Sequence, residues 1–164
     1  MMSLGLASML LAGATDASVA DALDGMMTTF STVCLAPADL AGQHAAASSL
    51  PGVTKEVVSG FKDRKPVIPG ARYKLPGMEM SVFGYRGAGL CAVARDFEPS
   101  FELSQYLAAI EARFGKRPHK KVAKTDYYRG IWADGSRQFD IEWYTKERGT
   151  TVLLSVRKRD GYSR

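Results

Sequence analysis

Between Asp126 and Lys158 the chain reads as two successive β-hairpins that share their middle strand, and this constrains the fold more than any other stretch. Asp134-Gly135 is a two-residue turn signal, because a type I′ turn needs positive φ at both central positions. With that pair at the tip, Trp132 falls opposite Arg137, Gly130 opposite Phe139 and Tyr128 opposite Ile141. Arg129 then meets Asp140 on the other face as an opposite-charge pair. The next turn, Lys146-Glu147-Arg148-Gly149, closes with Thr145 opposite Thr150. It sets Trp143 against Val152, Ile141 against Leu154 and Phe139 against Val156. Those three apolar pairs share one face, and a slip of one residue would mix the faces. The expected product is an antiparallel sheet whose apolar side is covered by helices.

The helices are sought upstream. From Asp21 to about Leu35, the residues Leu23, Met26, Met27, Phe30, Val33 and Cys34 recur at helical spacing. Pro37 fits the first turn of a second, Ala-rich helix running to about Ser49, since its missing N–H is not needed there. A strand is expected around Glu56–Phe61. Residues 62–77 are rich in Pro and Gly and read as an ordered loop or edge strand, with a short extended piece near Ala71–Leu75. Met78–Tyr85 and Leu90–Phe97 form a further hairpin, in which a Gly87-Ala88 turn places Val82 opposite Val93 and Gly84 opposite Cys91. A third helix is predicted with Ser100 as N-cap, Glu102 in its first turn and Leu103, Leu107, Ile110 and Phe114 on one face. Arg113 and Gly115 fit its C-terminal end. A basic connector, Lys116–Lys124, leads into the final three strands. The order of elements is that of an α+β fold: N-terminal helices, hairpin, helix and C-terminal three-stranded meander, with helices packed on one face of an antiparallel sheet.

At 164 residues the chain suits one domain with a real core. Its first 54 residues hold four Asp and no Lys or Arg; all 22 basic residues lie from Lys55 onward, against 13 acidic ones. Leu4–Ala12 is a short apolar run, followed by the small residues of Ser18-Val19-Ala20. This pattern resembles a secretory signal, although Met1-Met2-Ser3 lacks a positive charge. Residues 1–20 are therefore read as a signal peptide and 21–164 as one α+β domain, exported to a periplasmic or secreted location. No stretch is apolar and long enough to span a bilayer stably.

In an oxidising compartment, Cys34 and Cys91 are most simply a disulfide, and a loop of that length stabilises by about 4 kcal/mol on the chain-entropy model. The bland alternative is two buried thiols acting as small hydrophobes. There is no CxxC motif and no Cys/His spacing suited to a metal, so neither cofactor nor metal is expected. His44, four residues after Leu40, reads as a partly buried helix histidine. His119 sits among Arg117, Lys120 and Lys121, whose charges oppose its protonation. No GxSxG nucleophile motif is present. Gly84-Tyr85-Arg86-Gly87-Ala88-Gly89 lacks the GK[ST] ending of a phosphate loop and reads as a turn.

The basic run is the remaining candidate. Arg117, Lys120, Lys121, Lys124, Tyr127 and Arg129 form a contact surface for an acidic protein or an anionic envelope component. A solvated charged face is the bland alternative. Interleaved basic and aromatic residues also suit single-stranded nucleic acid, but Tyr128 and Trp132 fall on the apolar face and an exported protein rarely meets nucleic acid. The reading is a non-catalytic binding or protein-interaction module. Its alternatives are an envelope hydrolase using His44 or His119, and a cytosolic single-stranded nucleic-acid binder.

Overall fold

The computed structural model describes residues 12–59, 69–85, 88–98, 101–115, 118–134, 137–146 and 149–158. It is a mixed α+β structure dominated by one eight-stranded antiparallel sheet. The elements are α1 (Ala12–Phe30), a π-helical turn (Ser31–Leu35), α2 (Leu40–Ser48), and strands β1 (Thr54–Ser59), β2 (Pro69–Leu75), β3 (Met78–Tyr85) and β4 (Ala88–Phe97). A 3₁₀ turn (Leu103–Gln105) and α3 (Leu107–Arg113) follow, and then β5 (Lys120–Lys124), β6 (Tyr127–Asp134), β7 (Arg137–Lys146) and β8 (Gly149–Lys158).

The strand order is β1-β2-β3-β4-β8-β7-β6-β5. Two four-stranded meanders, each preceded by a helix, are thus joined through antiparallel pairing of their last strands. The order of strands mirrors itself about the seam, where Val93 lies opposite Leu154. Met80 opposite Val93 in one meander matches Ile141 opposite Leu154 in the other, and all four side chains are essentially sealed from solvent. Each such side chain contributes about 1.5–3 kcal/mol through burial.

The six residues Phe139, Ile141, Trp143, Val152, Leu154 and Val156 are all buried, as are Leu23, Met26, Met27, Phe30, Val33 and Cys34. The hairpin β7–β8 has the expected register, with Thr145 opposite Thr150. Helices α1 and α2 lie against β2, β3, β4 and β8, and Phe114, beyond α3, packs its ring against Trp132 and Phe139.

Several local expectations are corrected. Asp134 lies opposite Arg137 and so belongs to the β6–β7 ladder rather than to the turn, while Gly135 lies outside the described residues; Trp132 faces Phe139, Tyr128 faces Trp143 and Arg129 faces Glu142. The shift is two residues, and the reason lies in the aromatic pairs it creates: Trp132 and Phe139 stack at 5.5 Å with planes 5° apart. In β3–β4 the register is also two residues from that expected: Val82 faces Cys91 and Gly84 faces Gly89. β2 is an interior strand between β1 and β3, and Pro76-Gly77 makes the tight turn into β3, with Gly77 at φ 70°. Lys120–Lys124 of the basic connector form strand β5, so the C-terminal meander has four strands.

The helices differ at their ends. Asp39, not Pro37, starts α2: its carboxylate accepts from the Gly42 N–H at 2.8 Å. The first helix begins at Ala12, spanning the expected cleavage point, and its last turn widens to π geometry, with the Ala36 N–H donating to the Ser31 carbonyl at 2.8 Å. That turn buries the adjacent Val33 and Cys34 together. The third helix does not begin after Ser100, which lies outside the described residues. Glu102 is extended, and α3 itself starts at Leu107. Edge-to-face contacts of Phe101 with Phe97 and Tyr106 pin this segment before the helix can form. Gly115, at φ 69°, ends the helix.

Candidate functional site

Alternation along β5 sorts its lysines onto two faces. Lys120, Val122 and Lys124 lie opposite Ile131, Arg129 and Tyr127, whereas Lys121 and Ala123 lie opposite Gly130 and Tyr128. The first set belongs to the face away from the core: none of Phe83, Leu90, Ile131 and Leu153 on that face joins the buried cluster. The second set borders the core face, where Lys121 Nζ stands 5.5 Å above the Tyr128 ring. All five β5 residues are exposed. The expected contact residues are therefore brought to one end of the sheet but not onto one face. Arg117 lies outside the described residues.

Arg129 differs from the lysines. Its Nη2 donates to Asp140 Oδ2 at 2.5 Å, and its Nε lies 3.4 Å from Glu142 Oε1, within ion-pair range but without hydrogen-bond geometry. Asp140, whose side chain is only 3% exposed, also accepts from Gln138 Nε2 at 3.2 Å. The hydrogen bond to Asp140 and the surrounding negative charge raise the Arg129 pKa further. This guanidinium is committed to organising β6 against β7. Elsewhere on the same face Arg72 pairs with Glu79, and Lys74 with Glu56. No carboxylate among the described residues pairs with Lys120, Lys121 or Lys124.

Tyr144 is a further neighbour of this surface, outside the expected contact residues. It lies directly opposite Tyr127, which lies opposite Lys124, so the three form a row across β7, β6 and β5. The misplaced β6–β7 register set Glu142 there instead; the aromatic pairing of Trp132 with Phe139 was the sequence signal that would have found it.

Cys34 and Cys91 are joined by a disulfide. His44 Nδ1 is 2.7 Å from the Tyr73 hydroxyl. Burial, aided by the charge of Lys55, lowers the His44 pKa, and the Tyr73 hydroxyl also donates to the His44 backbone carbonyl at 3.5 Å. Lys55 Nζ stands 5.7 Å over the Tyr73 ring. His119 is exposed, and its backbone N–H extends the β5–β6 pairing to the Ile131 carbonyl at 2.9 Å. Among the described residues, no carboxylate hydrogen-bonds to either histidine. The Tyr128 hydroxyl and Trp143 Nε1 are buried without hydrogen-bond partners among the described residues; burial, then the charge of Glu111, raises the Tyr128 pKa. Among the described residues no cluster of three His, Cys, Asp or Glu side chains is arranged to hold a metal, and no helix is long and apolar enough to cross a membrane.

No protein-family model matches the chain, and no curated protein or solved structure is significantly similar to it.

Proposed function

We propose that the protein is an exported, non-catalytic binding module that engages an acidic protein or anionic envelope component through the basic end of its sheet. One observation carries this reading: Lys120, Lys121 and Lys124 are exposed and have no carboxylate partner among the described residues, whereas Arg72, Lys74 and Arg129 are each paired with a carboxylate on the sheet. Cations left unpaired among the described residues attract an anionic partner without an internal ion pair being broken there. Tyr127 and Val122 supply apolar area beside them, and Arg129 acts as the buttress beneath. The Cys34–Cys91 disulfide supports an oxidising location. N-terminal sequencing of the protein from its own host is expected to begin at Asp21.

The contact surface is tested on a poly-glutamate matrix. The wild type elutes at a salt concentration that falls sharply on combined Lys120→Glu and Lys121→Glu substitution. Unchanged retention and salt dependence would remove the surface from consideration. A nucleic-acid reading has one favourable observation, the Lys124–Tyr127–Tyr144 row, which combines charge with stacking surfaces. It requires an uncleaved N-terminus and a cytosolic fraction in cell fractionation.

A further inference from the structure

We infer that β5 is an acceptor edge: an extended acidic segment of a partner protein adds to it as a ninth strand. The inference rests on the basic-surface reading and specifies how that surface is used. β5 ends the strand order and pairs only with β6 among the described residues. One row of its backbone N–H and C=O groups therefore faces outward, and such a row is a template for another strand.

The side chains select what can add. Lys120-Lys121-Val122-Ala123-Lys124 contains three cations and no acid, and every residue is exposed. An incoming strand alternates its side chains between the faces. Acidic residues four apart thus meet Lys120 and Lys124 on one face, on either side of the residue opposite the 37% exposed Val122, and an acidic residue next to the one opposite Lys120 meets Lys121 on the other. A second copy of the same edge is rejected, because like charges directly opposite destabilise a strand pair. The other outer strand, β1, lacks this character: Glu56 is paired with Lys74, and Lys55 sits over Tyr73. Lysines on β5 thus exclude self-pairing while admitting a strand of opposite charge.

The test uses the full chain and a synthetic peptide of alternating Glu and Val, with two further versions N-methylated at alternate amides in each of the two possible phases. Charge is identical in all three. In one phase the methyl groups block the edge, and in the other they point to solvent. The expected result is a loss of binding of about tenfold or more for one phase only, with slowed hydrogen exchange at β5 amides in the bound state. Equal binding of all three peptides, or equal binding of a single-stranded oligonucleotide without protection of β5 amides, overturns strand addition but leaves the basic surface standing. Failure of every anionic probe to bind overturns both.

Discussion

Cys34 in the π-helical turn is bonded to Cys91 on β4, one of the two central strands, with Cα atoms 5.4 Å apart. The bond fastens the helical layer at the point where α1 gives way to α2. Around it, Gln43 Nε2 donates to the Cys34 carbonyl at 2.9 Å and Arg137 Nη1 to the Leu35 carbonyl at 2.5 Å. These side chains satisfy carbonyls that the helix end leaves open.

A separation of 57 residues makes this cross-link effective, because it removes a large share of the denatured chain's freedom. The paired Cys34→Ala and Cys91→Ala variant is expected to lose about 4 kcal/mol in urea unfolding. Reductant should destabilise the wild type by a similar amount and leave the variant unaffected. Thiol titration of the unfolded, unreduced protein should find none.

His44 provides a pH-dependent contribution. Its folded-state pKa is lowered by burial and by Lys55, so the folded protein binds fewer protons than the unfolded chain just below the ordinary imidazole value. Stability is then full above about pH 6.5 and declines as pH falls through the lowered folded-state pKa. Unfolding measured at about pH 5 and about pH 8 should show a larger acid loss in the wild type than in His44→Gln. Tyr73→Phe removes the hydroxyl that binds Nδ1 and should cost about 1 kcal/mol at the higher pH.

How much of this fold is legible in the sequence depends on which physical signal is used. Hydrophobic alternation fixes parity, and parity survives a shift of two residues. That is why Tyr128, Trp132 and Ile141 lie on the expected face although the β6–β7 register differs. The turn signal Asp134-Gly135 was weaker than cross-strand aromatic pairing. The pairing of β4 with β8 joins segments remote in sequence, and no local pattern announces it. At the candidate site, the basic character of residues 120–124 is plain in the sequence, but their extended conformation is not: Lys and Ala are poor strand formers, and it is pairing with β6 that holds them. Pairing of Arg129 with Asp140 was legible, whereas its second contact, to Glu142, needed the corrected register.

Two glycines separate a movable obstacle from a fixed one. A Cβ on Gly149 would lie 2.3 Å from the Phe97 backbone carbonyl oxygen, at the join of the two meanders. A Cβ on Gly70 would meet the ring of Phe83, a half-buried side chain outside the core. Both alanine substitutions are destabilising, within the range of about 1–3 kcal/mol for overpacking. Gly149→Ala should fall at the upper end, since β4 would have to move, and Gly70→Ala at the lower, since the ring can turn. Thermal unfolding of the two variants side by side checks the order.

Arg129 should behave as a structural residue even though it lies within the basic surface. Its removal leaves Asp140, 3% exposed at the side chain, without its cation. Stripping one partner from such a pair costs about 3–5 kcal/mol. Gln138 still donates to Asp140, which places Arg129→Ala near the lower limit. Asp140→Asn should partly rescue it, because the neutral amide no longer needs a counter-charge. By contrast, Lys120→Ala and Lys124→Ala, both on exposed positions without ion pairs among the described residues, should change stability by less than about 0.5 kcal/mol. Urea unfolding of the four single variants and of the Arg129→Ala/Asp140→Asn double variant separates the buttress from the contact residues. A small loss for Arg129→Ala would mean that the backbone ladder and the apolar face hold β6 to β7 without the ion pair.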